Sequence, residues 1–79
     1  MARYFFHLYN DEVTLDEEGS ELPDDSAAIE WAKREVRFEA SESIKRHAHL
    51  VRSHHIVVED QTRREVGTVG FGDVISVRD

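Results

Sequence analysis

Between Asp24 and Leu50 the chain carries neither glycine nor proline, while Ala28, Ala32, Val36, Ala40, Ile44 and Ala48 recur at every fourth position. That spacing predicts one amphipathic helix from about Asp25 to about His49, turning a narrow stripe of small side chains toward a core. Its entry is marked in the sequence. Pro23 discourages helical dihedrals at Leu22, and Asp24 or Asp25 can cap the free backbone N–H groups of the first turn. The acids there also suit the positive end of the helix dipole.

The flanking segments read as strands. Tyr4, Phe6 and Leu8 alternate with Arg3, Phe5, His7 and Tyr9, a period of two dense in aromatic rings. Rings on both faces predict a central strand partly covered on each side. Asn10-Asp11 supplies turn chemistry, and Val13 and Leu15 continue as a second strand. Asp16-Glu17-Glu18-Gly19 reads as a further turn, with Gly19 free to take positive φ. After the helix, His55 to Glu59 predicts a third strand and Asp60 to Arg64 a turn. Glu65 to Phe71 follows as a fourth strand, bulged or weakened at Gly67 and Gly70. Gly72 to Val77 is expected to add a short edge segment or a final turn. The fold class that follows is α+β: a ββαββ order, with an antiparallel sheet and one long amphipathic helix on one face. Residues 1–79 are expected to form a single domain.

A chain this short has a thin core, worth about 3–5 kcal/mol of stability. It contains no cysteine, which excludes disulfides, thiolate zinc sites and a cysteine nucleophile and fits a reducing cytosol. Self-association is then the expected support. No apolar run approaches a membrane span, and Arg3 and His7 break the amino-terminal run that could resemble a signal peptide. A cytoplasmic location is expected.

The net charge is −7 and unevenly spread. Eight acids and no base lie from Asn10 to Asp25, whereas Ser43 to Ile56 holds Lys45, Arg46, Arg52 and four histidines with no acid. An acidic whole disfavours nucleic-acid binding, which needs clustered lysine and arginine. The acids of the 16–21 segment lack a calcium-loop spacing and read as a solvated turn.

The run Arg3-Tyr4-Phe5-Phe6-His7-Leu8, with Asp16-Glu17-Glu18-Gly19-Ser20-Glu21-Leu22-Pro23-Asp24 and an alanine-spaced helix behind it, resembles a family of small uncharacterised bacterial proteins, a domain of unknown function. The likeness spans almost the whole chain and includes Val58-Glu59-Asp60, Val66 to Phe71 and Asp73. It departs from the usual pattern at Trp31, Phe38 and the histidine-rich helix end. The resemblance implies a family and no activity. Over the first half, the hairpin, the Leu-Pro-Asp turn and the alanine-containing helix are also similar to the partial ribonuclease-H-like domain of HicB-type antitoxins, a likeness at the level of fold.

Two sets of residues stand out as candidate sites. Phe5, His7 and Tyr9 form one aromatic patch on the outer sheet face. Trp31 and Phe38, two helical turns apart, form another beside the alanine stripe. Trp31 and Phe38 either widen the core or stand exposed, and exposed rings on a small protein mark interfaces. His47, His49, His54 and His55 are the candidates for a metal. However, His47 and His49 diverge around a helix, and His54 and His55 point to opposite faces of a strand. A basic, pH-responsive helix end is the plainer reading, and no metal or cofactor is expected. The expected function is that of a non-enzymatic interaction or regulatory module. Its partner would be a second copy or a small protein, with an antitoxin-like regulator and a histidine-based ligand binder as alternatives.

Overall fold

The structure, a computed structural model, describes residues 1–48, 51 and 53–74. In chain order the elements are β1 (Ala2–Tyr9), β2 (Val13–Thr14), β3 (Ser20–Leu22), α1 (Asp25–His47), β4 (His55–Asp60), β5 (Glu65–Gly70) and the single turn α2 (Phe71–Val74). All strand pairs are antiparallel, in the order β2-β1-β4-β5, and β3 also pairs with β1. The α+β class and the antiparallel sheet carrying one long helix agree with the sequence reading.

The second strand stops at Thr14, and beyond the expected turn at 16–19 the chain adds a short strand that the sequence reading does not include. β2 pairs with the Leu8–Tyr9 end of β1, and β3 pairs with the Ala2–Tyr4 end. The interruption is built by Asp16. Its carboxylate accepts hydrogen bonds from the backbone N–H groups of Phe6 (3.1 Å), Glu18 (3.2 Å) and Gly19 (3.0 Å). A side chain thus takes the place of the missing strand on the middle of β1, and the freed loop turns at Gly19, where φ is 72°. A Cβ at Gly19 would stand 2.8 Å from the Tyr4 carbonyl oxygen, so the position suits glycine alone.

Helix α1 opens as its sequence predicts. Asp24 is extended, and its carboxylate accepts from the Ala27 N–H at 2.8 Å. Ala28, Ala32, Val36 and Ala40 are buried against Ile56, Val58, Val69 and Tyr4. The stripe does not hold to its end. Ile44 is 51% exposed, and Ala48 is exposed at the cap. The reason is geometric. Each four-residue step overshoots a full turn by about 40°, so by Ile44 the stripe has rotated about 160° from Ala28 and left the sheet. Ala48 closes the helix in a left-handed conformation, φ 57°, with its N–H donating to the Ile44 carbonyl.

The β4–β5 register shifts between Val58, opposite Gly67, and Glu59, opposite Glu65, which leaves Val66 as the extra residue of a bulge. Gly67 itself admits the helix: a Cβ there would meet the Ile29 Cδ1 at 2.9 Å. Phe71, expected at the end of the fourth strand, instead begins α2 and is buried in the core. The tail from Ile75 onward, part of the expected edge segment or final turn, lies outside the described residues.

Candidate interaction surface

Side-chain alternation sends Ala2, Tyr4, Phe6 and Leu8 toward α1, and therefore Phe5, His7 and Tyr9 to the opposite face. Cross-strand partners share a face, so Tyr9 stands between Val13 of β2 and His55 of β4, and His7 lies beside Val57. No described element covers this side. Coverage of β1 is by α1 on one face and only partial on the other, where the 15–17 loop reaches onto His7, so both faces are partly covered as expected. A single helix can lie over only one face.

The rings on the open face organise one another. Phe5 stacks on His7 at 6.5 Å and 7°, and Tyr9 on His55 at 5.1 Å and 6°. His7 is held at both nitrogens. The Asp16 N–H donates to Nδ1 (3.0 Å), so the proton of the neutral ring sits on Nε2 and is donated to Glu59 Oε1 (3.1 Å). Phe5, His7, Tyr9, His55 and Val57 are all half-buried. At the rim, Val13 and Leu15 are 60% and 59% exposed. The sequence places these two in a strand and gives them no evident role. Their phase with Tyr9 and His7 is the signal that could have found them.

Trp31 and Phe38 part company. Trp31 is half-buried, tilted against Phe6 at 6.5 Å and 51°, with the Arg34 guanidinium 5.4 Å from its ring centre. Phe38 is 58% exposed. Trp31 lines a groove of about 570 Å³ between α1 and the β2–β3 loop. Phe6, Leu8 and Ile56 form its floor, and Glu17, Glu18, Glu35 and Glu39 stand around it. This groove is invisible in the sequence, since its two walls lie about twenty residues apart in the chain and meet only through the fold.

Of the candidate histidines, the two described side chains, His54 and His55, point to different partners. His54 lies 3.5 Å from Asp11 and edge-on to Phe71 at 5.6 Å. The neighbouring His55 donates from Nδ1 to the Ser53 carbonyl (2.9 Å) and stacks on Tyr9. His49 lies outside the described residues, as does the side chain of His47. Among the described residues no group of three or more histidine or acidic side chains could hold a metal ion.

One charged network binds the fold together. Tyr4 donates its hydroxyl proton to Asp25 (2.8 Å), and Arg64 spans Asp25 and Asp60 at 2.9 Å each. Asp60 also accepts from the Thr62 hydroxyl (2.7 Å) and from the N–H groups of Thr62 and Arg64. The Thr62 hydroxyl leads these partners in holding the Asp60 carboxyl down to about 2, against partial desolvation. Asp25 is lowered chiefly by Arg64 and then by Tyr4, and the Tyr4 phenol is raised in turn by its bond to Asp25. These four residues tie β1, the start of α1 and the β4–β5 turn at one end of the molecule.

A family model for a domain of unknown function, DUF6894, matches residues 3–72. The chain belongs to the DUF6894 family. The match includes the sheet from Arg3 onward, the whole of α1 and the first residues of α2. No curated protein and no solved structure matches the chain. Among the described residues of this DUF6894 domain, no helix is long and apolar enough to cross a membrane.

Proposed function

We propose that this DUF6894 domain is a protein-interaction module that self-associates through the open face of its sheet. The observation that carries the reading is the run of Phe5, Tyr9, Val57, Val13 and Leu15 on a face that no described element covers. Apolar patches of this kind on small domains are interaction sites. Charge supports a second copy as the occupant. A chain of net charge −7 repels its own copies over most of its surface. The middle of this face is different, because Tyr9, His55, Val57 and Thr68 carry no carboxylate. Two copies related by a two-fold axis would meet there with the least repulsion. Burial of the patch would also supplement a core with few large buried side chains.

Light scattering over a concentration series tests the reading. The expected mass rises from that of the 9.2 kDa chain to twice it. Tyr9→Lys or Val57→Lys, each shown to be folded by circular dichroism, should hold the mass at the lower value. A monomer at every concentration, or association untouched by both variants, would refute the proposal. Recovery of a small basic toxin or nuclease from the native host, in place of a second copy, would favour the antitoxin-like alternative.

A further inference from the structure

The groove beside Trp31 has a character unlike the sheet face. Its floor is apolar and aromatic, and five carboxylates line it with no lysine or arginine among the lining residues. Asp16 is spent on backbone N–H groups. Among the described residues, the side chains of Glu17, Glu18, Glu35 and Glu39 make no ion pair. The acidic side chains continue along α1, because Glu39 and Thr14 also line a neighbouring hollow of about 400 Å³ that includes Asp11, Glu12 and Glu42 together with Arg46 and His54. Glu39 bears the cost of this crowding. Burial, then Glu35 and Glu42, push its carboxyl above the usual range, and Arg46 only partly offsets them. From Trp31 to Glu42 the wall runs about 16 Å, the length of three turns of a partner helix.

We infer that this groove receives a basic, amphipathic segment of another protein, with aliphatic side chains on the Phe6–Leu8–Trp31 floor and lysine or arginine against Glu17, Glu18, Glu35 and Glu39. Charge complementarity selects that occupant. A second acidic copy would be repelled, and a purely apolar ligand would leave the carboxylates unanswered. This surface lies on the helix side of the sheet; it shares Leu15 and Glu17 with the edge of the open face, while Tyr9, His55 and Val57 lie outside it.

Trp31 is the sole tryptophan of the chain and reports on its own groove. The experiment titrates the full chain with a synthetic peptide of leucine and arginine at helical spacing, following Trp31 emission and, in the same samples, mass by light scattering. The expected result is a saturable blue shift that weakens with salt. In the double variant Glu35→Gln/Glu39→Gln the affinity should fall about fivefold, since each exposed pair contributes little singly. That variant removes repulsion and should melt no lower than the parent. Absence of a shift, or the same titration in the double variant, would overturn the inference. So would an equal shift with spermine or with a peptide whose leucines are replaced by alanine. A change of mass without peptide that the double variant abolishes would assign the groove to a second copy, and would overturn it as well.

Discussion

Asp60 sits at the tip of the β4–β5 hairpin and accepts four hydrogen bonds within its own turn before Arg64 carries it across to Asp25. Its folded pKa of about 2 lies below the roughly 4 of an unfolded aspartate. The sign follows from linkage: the contribution is complete above about pH 4 and is lost as the pH falls through about 2. Thermal melts between those limits should show stability falling with acid, and Asp60→Asn should flatten that limb. Gly19 offers a test through backbone geometry. With φ at 72° and the Tyr4 carbonyl 2.8 Å from where a methyl would stand, Gly19→Ala should cost about 2 kcal/mol in urea unfolding. Gly67→Ala should cost less, because the atom it meets is the far end of Ile29, which can turn aside. The turn at Gly19 and the cap at Asp24 are both legible as residues. The left-handed Arg63, φ 68°, is not, since nothing in an arginine announces that conformation.

At the scale of elements, α1 separates what periodicity can and cannot say. Its start, its approximate length and its buried alanines follow from spacing. Its outer end does not, because a strict four-residue repeat drifts around the helix and no sequence pattern states where the sheet stops. The two halves of α1 should therefore respond differently. Val36→Ala, at a position with no exposure, is expected to cost about 2 kcal/mol in chemical denaturation, whereas Ile44→Gln should change stability by no more than about 0.5 kcal/mol. Ala48→Gly should raise stability by about 1 kcal/mol by relieving the left-handed cap. The turn at 16–19 that separates β2 from β3 is read from the sequence, but its construction is not. It depends on a carboxylate replacing a strand, and an aspartate in an acidic loop gives no sign of that.

For the whole molecule, a single helix over a small sheet leaves one face without a covering layer, and the half-buried apolar side chains on that face define the surface on which the proposed association rests. The expectation from sequence draws on aromatic rings in excess of what one face could hide. Phe5, Tyr9 and Trp31 are half-buried and Phe38 is exposed, so none is enclosed in the core. Phe5 stacks on His7 within its own strand, whereas Tyr9 stacks on His55 through strand register, a pairing absent from any one segment. Val13 and Leu15 complete the patch. The most direct test is a dilution series followed by amide shifts in two-dimensional nuclear magnetic resonance spectra. Concentration-dependent shifts are expected at Phe5, His7, Tyr9, His55 and Val57, while amides along the exposed side of α1 stay still. Spectra that do not change on dilution in a protein of monomer mass, or changes confined to α1, would contradict the account.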